Sequence, residues 1–230
     1  PNSSTLLRSP QIRFFTYKSK NVLSLSFENP NEKMSLGGTI TALPQRFPDM
    51  IGSYRINGNF GFVKAAALFR ELRYESDKAR SLYGYGFTVM TSIKTNEKDK
   101  LKFQGVLGTG VAQYIQGASG LNYDAIYDGT DELQELQMYG TNISYQHFWK
   151  NNMHSSLTAG ILNVEDNVNL LPTNYKSGYY GSINLFWNVV KNFTFGWEAL
   201  VGERVNINDD KGTALRLQMN ATYNFSKTIK

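Results

Sequence analysis

The sequence predicts an all-β protein, a transmembrane antiparallel β-barrel, because its apolar residues alternate with polar ones and its short connections alternate with long ones. Successive side chains of a strand point to opposite sides, so alternation gives one apolar and one polar face. A soluble β-sandwich also alternates and remains a distant alternative. In the last predicted strand one face is apolar for about ten residues and ends in aromatics, as a lipid-spanning strand requires. The residues of that face are Leu215, Leu217, Met219, Ala221, Tyr223 and Phe225.

The same pattern divides the chain into about eleven strands. We expect them at 11–18, 21–28, 49–57, 59–72, 82–95, 99–113, 135–149, 153–164, 176–187, 192–205 and 212–225. Bacterial barrels have short periplasmic turns and long extracellular loops, so the short connections face the periplasm. The Asn57-Gly58 pair is a strong hairpin signal within one of these turns.

The number of strands indicates that this sequence is part of a larger barrel. Single-chain bacterial barrels have an even number of strands with both termini in the periplasm, and bare sheet edges are not viable in lipid. An odd number of strands breaks that rule. We therefore expect residues 1–230 to form a single β-barrel domain that lacks about five N-terminal strands. The alternative is that one strand is miscounted.

Composition argues against several other classes of protein. The chain has no cysteine, so it has no disulfide framework, thiol nucleophile or thiolate metal site. Its net charge of +5 is modest, and its Lys and Arg residues form no run, so we expect no nucleic-acid partner. Nothing in the sequence points to a cofactor.

Residues suited to catalysis or metal binding are few. The two histidines are His147 and His154. Ser144 falls on the opposite strand face from His147, and Ser155 and Ser156 follow His154 within one strand, so we predict no catalytic dyad and no enzyme. Acidic residues collect in three long loops, but without EF-hand spacing, so we interpret them as solvated loops and predict no metal site. One of these loops contains Asp124, Asp128, Asp131 and Glu132.

Charged residues on the polar strand faces are the candidate functional residues. A charge on the lipid face costs about 2–4 kcal/mol at the midplane, so these residues should line the lumen. They act either as structural ion pairs, with Glu198 paired to Arg216, or as a positive lining that attracts anions. The predicted pore-lining residues are Arg13, Glu28, Arg55, Lys102, Glu198, Arg204 and Arg216.

Aromatic residues near the strand ends should form a membrane girdle, because Trp and Tyr have one apolar and one polar end. The predicted girdle residues are Tyr145, Trp149, Trp187, Phe193, Trp197, Tyr223 and Phe225. Outer-membrane lipid is thus an expected partner.

Several segments of the C-terminal half resemble the DcaP-type porins. They include Gly110-Val111-Ala112-Gln113-Tyr114-Ile115-Gln116, Asn184-Leu185-Phe186-Trp187-Asn188 and Gly196-Trp197-Glu198-Ala199-Leu200. The resemblance implies trimeric channels of about sixteen strands in the Gram-negative outer membrane, linked to uptake of dicarboxylates and similar small anions. Ala112-Gln113 stands where we associate Gly-Arg with the family, so an Arg near the inward-folding loop is absent. The last aromatic, Phe225, is followed by five more residues.

Together these observations predict an outer-membrane porin for passive diffusion of small polar solutes, with anions preferred by resemblance. The expected partners are small anionic solutes and two further copies of the chain in a homotrimer. The alternative is a structural or accessory barrel with a plugged lumen in a larger envelope assembly.

Overall fold

The computed structural model describes residues 1–5 and 9–225, in which the regular elements are β-strands apart from one short 3-10 helix. Most strands are consecutive antiparallel partners in one large sheet, called the wall below. The strands of the wall are β1 (Gln11–Lys18), β2 (Asn21–Glu28), β5 (Asp49–Gly58), β6 (Gly61–Glu75), β7 (Ala79–Lys94), β8 (Lys100–Thr109), β11 (Gln137–Lys150), β12 (Met153–Val164), β13 (Tyr175–Val190), β14 (Phe193–Asn206) and β15 (Lys211–Tyr223).

Each wall strand pairs with the next one along the wall, from β1 to β15. Within the described residues, β1 pairs only with β2, and β15 pairs only with β14. Both end strands therefore have one edge without a partner. No helix of residues 1–5 and 9–225 is long and apolar enough to cross a membrane.

The predicted strands and their all-β, antiparallel arrangement are confirmed, with shifted ends. Strand β8 ends at Thr109, where we expected it to continue to residue 113. Gly110 has a φ of +68°, and a one-turn 3-10 helix, η1, follows at Ala112–Tyr114. The left-handed backbone at this glycine lets the chain leave the sheet, a change of direction that alternation cannot reveal.

The hairpin predicted at Asn57-Gly58 turns two residues later. Gly58 still pairs with Gly61, so Asn59 and Phe60 form the turn. Gly61 has a φ of +122°, which an L-residue rarely adopts.

Four short strands were not predicted, because two or three residues show no alternation. They are β3 (Met34–Ser35), β4 (Thr41–Ala42), β9 (Ala125–Tyr127) and β10 (Leu133–Glu135). Strand β4 pairs with the long-loop end of β6, whereas β10, β9 and β3 form a separate small sheet. This small sheet joins the long connection after β2 to the long connection after β8.

The two faces of the wall have opposite character. Cross-strand register places Phe14, Leu25, Ala67, Phe87 and Leu107 on one face, which we call the outer face. Most of its large apolar side chains are exposed. The opposite, inner face carries polar and small residues, and two other segments of the chain pack against it.

Candidate functional site

Residues 1–5 lie against the inner face of the wall. Gln104 Nε2 donates a hydrogen bond of 2.6 Å to Thr5 Oγ1, and Asn142 Nδ2 donates one of 3.2 Å to Ser3 Oγ. Asn2 Nδ2 reaches the carbonyl oxygen of Gly178 at 2.5 Å. These contacts spread over β8, β11 and β13, so the segment crosses several strands of the wall.

Residues 110–124 form a second inward segment, called the inner loop below. Its Val111, Ile115 and Ala118 are almost fully buried, together with Leu162 of β12. The two inward segments also contact each other, since Gln116 N–H donates to Ser4 O and Gly117 N–H donates to Asn2 O.

Glycines in the wall allow the inward segments to come this close. A Cβ at Gly108 would lie 2.5 Å from Val111 Cγ2, and one at Gly140 would lie 2.7 Å from Ser3 Cβ. Both glycines occupy inner-face positions of their strands. Glycine at inner positions of predicted strands was a readable signal of close backbone approach, and our sequence reasoning did not use it.

A buried ion cluster holds the inner loop to the wall. Arg70 of β6 lies between Asp49 of β5, with Nε 3.3 Å from Oδ2, and Asp124 of the inner loop, with Nη1 3.1 Å from Oδ2. All three side chains are fully buried. Asp124 also accepts hydrogen bonds from the backbone N–H groups of Gln113 and Lys33. Our interpretation of Asp124 as part of a solvated acidic loop is therefore wrong, because the loop folds inward and buries it.

Tyr114 adds a neutral contact to this cluster. Its hydroxyl donates a hydrogen bond of 2.8 Å to Asp49 Oδ2. Burial raises the pKa of Tyr114, so the hydroxyl keeps its proton and remains a donor. The cluster thus contains one Arg, two Asp carboxylates and one phenol.

The seven predicted pore-lining residues fall on the inner face by cross-strand register. Ser26 faces Arg13, Lys64 faces Arg55, and Ser144 faces Lys102, all on that face. The inward segments contact the same face. The residues so placed are Arg13, Glu28, Arg55, Lys102, Glu198, Arg204 and Arg216.

Their contacts differ from one residue to the next. Arg13 lies 3.6 Å from Glu28 as an ion pair. Arg55 Nε donates to Asn57 Oδ1, and its guanidinium lies 3.9 Å from the centre of the Phe62 ring. Arg204 donates to the side chain of Asn206 and lies over the ring of Tyr175.

The expected pair of Glu198 and Arg216 does not form in the described residues. Glu198 lies directly opposite Gln218, which donates a hydrogen bond of 2.8 Å to Oε1. Arg216 lies opposite Leu200 instead. The difference follows from the register, which places Arg216 one inner position further from the short-turn end.

Sequence reasoning missed Lys64, an inner-face cation directly opposite Arg55 on the next strand. Like charges directly opposite each other destabilise a sheet. Lys64 and Arg13 also line one cavity of about 200 Å³ beside Thr5 and Ile115 of the inward segments. Glu28 is the single acidic residue in that lining. Strict alternation on β6 could have identified Lys64.

The predicted girdle residues lie toward the short-turn end of the outer face. Trp187 pairs with Phe195, and Phe193 pairs with Tyr223. Trp187 is 46% exposed and Phe225 is 87% exposed, so neither is in a closed core. Tyr145, Trp149 and Tyr223 are also exposed, whereas Phe193 and Trp197 are half-buried by their neighbours.

A second aromatic band lies toward the long-loop end of the outer face. Phe69 stacks on Tyr83 at 5.7 Å and on Phe47 at 6.1 Å between ring centres. Tyr179 and Trp187 belong to opposite bands on β13, eight residues and hence about 26 Å apart along the strand. Strands of such walls tilt by about 35–45°, so this separation corresponds to a height of about 20 Å, against an apolar band of about 25 Å in outer-membrane barrels.

The two histidines lie on opposite faces. His147 is on the outer face, and its Nδ1 lies 2.8 Å from Oδ2 of Asp99 in the turn between β7 and β8. His154 stacks between Phe148 and Phe186 on the inner face. Among residues 1–5 and 9–225, no three His, Asp or Glu side chains are grouped so as to hold a metal ion.

The comparisons with known proteins agree with this geometry. The fold is similar to the outer membrane channel DcaP of Acinetobacter baumannii, with a TM-score of 0.82 at 19% sequence identity. The match covers 98% of this chain and 65% of that channel, so this chain spans about two thirds of its length. No curated protein matches. The family model described as DcaP outer membrane protein matches residues 12–225. Lipid on one side explains why the sheet has an apolar outer face with two aromatic bands and a polar inner face. The chain belongs to the DcaP outer membrane protein family.

Proposed function

We propose that this chain forms part of the wall of an outer-membrane channel through which small polar anions, dicarboxylates among them, diffuse passively. The observation that carries the proposal is the placement of Arg55 directly opposite Lys64 on the inner face. Two like charges in that position oppose folding, so their presence favours a role toward a ligand or solute.

The wider charge pattern of the inner face supports an anionic solute. Outside the buried cluster around Arg70, the acidic residues of the inner face are Glu28 and Glu198, and its cations include Arg13, Arg55, Lys64, Lys94, Lys100, Lys102, Arg204 and Arg216. An Arg guanidinium binds a carboxylate through two parallel hydrogen bonds, which a dicarboxylate can use at each end. The attraction should be modest, because a solute that binds tightly cannot leave the channel.

Ion selectivity tests this proposal directly. The intact protein is reconstituted in a planar bilayer, and the zero-current potential is measured across a KCl gradient. Wild type should prefer Cl⁻, and Arg55→Gln with Lys64→Gln should shift the potential toward cation preference. A matched pair, Lys18→Gln with Lys78→Gln, removes the same charge from exposed positions away from the inner face and should leave the potential unchanged.

Measurements of solute flux test which class of solute the channel admits, which conductance alone does not show. Succinate entry into liposomes should fall in the Arg55 and Lys64 variant by more than entry of a neutral sugar does. A wild-type channel without anion preference would refute the anionic part of the proposal. A protein that conducts nothing would favour the second candidate, a structural barrel with a plugged lumen, for which the two inward segments are the supporting observation.

We also propose that further strands complete the wall. The outer edges of β1 and β15 lack partners in the described residues, and unpaired backbone groups in lipid cost several kcal/mol each. Strands outside this sequence would pair with both edges.

Three copies would then assemble through a part of the outer face that carries small side chains. Gly52 pairs with Ala67, and Tyr54 pairs with Ala65, so small side chains cluster on β5 and β6. Small residues let two walls approach closely. Native mass spectrometry in mild detergent should give a trimer, and Ala67→Trp should reduce it to smaller species.

A further inference from the structure

We propose that the Arg70–Asp124 ion pair is the contact that keeps the inner loop against the wall, and that it thereby sets the bore of the channel. The inference rests on the proposed function for its second half only. Arg70 and Asp124 are positioning residues, because both are fully buried and act through the loop.

Asp124 is where three parts of the molecule meet. Its carboxylate accepts from Arg70 of the wall, from Gln113 N–H at 3.0 Å within the inner loop, and from Lys33 N–H at 2.8 Å in the connection after β2. An ionised carboxylate accepts several such bonds at once, whereas an amide side chain would turn donor hydrogens toward one of these donors. Asp124 therefore joins the loop both to the wall and to its neighbouring connection.

Apolar contacts hold the inner loop along much of its length, since its Ile115 and Ala118 share a buried cluster with Leu162 of the wall. Val111 packs on Gly86 and Gly108 close to where the loop leaves β8. Beyond η1, residues 116 and 117 bond to the other inward segment rather than to the wall. The Arg70–Asp124 pair is the charged connection between the loop and the wall and adds to these apolar contacts, so its loss should loosen the loop and let it move toward the lumen axis or the mouth.

Loss of one charge from this buried cluster should be costly. Asp124→Asn leaves Arg70 with Asp49 as its remaining carboxylate partner. It also turns an amide donor toward the buried N–H of Gln113 or Lys33, and a buried polar group without a partner is costly. Asp124→Asn should therefore raise the rate of hydrogen exchange at the amides of residues 111–121 by at least about 100-fold. Single-channel conductance should rise in the same variant.

Glu71→Gln is the matched control. Glu71 is the next residue along β6 and is equally buried, but it faces outward and pairs with Arg46 at 2.5 Å. Its loss should destabilise the protein to a similar degree and leave exchange of residues 111–121 and conductance unchanged. A merely structural role for Asp124 would make the two variants alike.

An engineered disulfide restores the docked loop independently. A Cβ on Gly86 would lie 3.7 Å from Val111 Cβ, within the range of disulfides, and the chain has no other cysteine. Gly86→Cys with Val111→Cys in the Asp124→Asn background fixes the start of the loop, so oxidation should lower conductance toward the wild-type value. Reductant should raise it again.

The outcomes separate this inference from the proposed function. Unchanged exchange in folded Asp124→Asn would overturn the role of the ion pair. Faster exchange with unchanged conductance would overturn its effect on the bore. A wild type that does not conduct would instead refute the channel function and the bore, while exchange still decides whether the pair holds the loop. If Asp124→Asn does not fold, Tyr114→Phe is the alternative variant. It removes the hydrogen bond to Asp49 and keeps every charge, so a smaller rise in the hydrogen-exchange rate of residues 111–121 is expected.

Discussion

Glu198 lies directly opposite Gln218 across β14 and β15, and the amide of Gln218 donates a hydrogen bond of 2.8 Å to its carboxylate. Asn184 contacts the other carboxylate oxygen at 3.4 Å. Both neighbours are neutral, and Glu198 forms no ion pair with a Lys, Arg or His side chain within the described residues. Glu198 therefore lowers the positive potential that the cations create at the inner face.

Replacing this carboxylate should increase anion preference. Glu198→Gln keeps the size of the side chain and removes one negative charge from the inner face. A unit charge is worth about 1 kcal/mol at 4 Å in water, so the anion-to-cation permeability ratio should rise by no more than about fivefold. Zero-current potentials in a KCl gradient measure this ratio. Glu203→Gln removes an outer-face carboxylate of the same strand and should have no effect.

The two faces of β12 should differ in their tolerance of charge. Leu157 is 63% exposed on the outer face, whereas its neighbour Ser156 faces inward. Leu157→Arg places a cation in lipid and should lower the free energy of unfolding by about 2–4 kcal/mol if it lies near the midplane. Ser156→Arg should cost much less. Urea unfolding in lipid vesicles, followed by Trp fluorescence, compares the two, and equal losses would contradict the assignment of the faces.

The hairpin between β5 and β6 should depend on one glycine. Gly61 has a φ of +122°, and a Cβ there would lie 1.9 Å from Ser92 O. Gly61→Ala should therefore lower the free energy of unfolding by about 1–3 kcal/mol or more. Gly52→Ala is the control, because a Cβ at Gly52 meets nothing within 4 Å. A comparable loss in both variants would mean that the strain at Gly61 is not the cause.

The turn before β8 should be sensitive to acid. The backbone N–H of Phe148 and the ring of His147 bond to Asp99, and they hold the pKa of Asp99 well below its usual range. A carboxyl with a lowered pKa stabilises the folded state above its unfolded pKa, about 3.9, and this contribution is lost as pH falls through the folded value.

Asp99→Asn should therefore reduce resistance to heat at neutral pH, and its difference from wild type should narrow as the pH falls below about 4. Heat-dependent gel mobility at several pH values is a suitable measurement. Glu97→Gln changes an exposed carboxyl in the same turn and should behave like wild type throughout. A difference in heat resistance between Asp99→Asn and wild type that stays constant at all pH values would mean that altered hydrogen bonding or packing, and not the lost charge, is the cause.

The sequence by itself determined the wall. The period of two is a local property, so residues such as Leu215 and Arg216 were assigned to opposite faces without any knowledge of their neighbours. For the same reason β12 has the predicted bounds, Met153–Val164. The girdle remains a prediction from the same reasoning, because amphipathic aromatics lie where an apolar face meets water.

The tertiary structure alone decided what lies inside the wall. Asp124 is one of several acidic residues in a long connection, and nothing local distinguishes it from Asp128, which bonds within its own loop. Its burial depends on Arg70 and Asp49, 54 and 75 residues away in the chain. The partner of Glu198 was likewise set by cross-strand register, which depends on the lengths of turns and bulges rather than on the strand pattern. Alternation tells which side a residue faces, but only the packed chain decides which charges meet there.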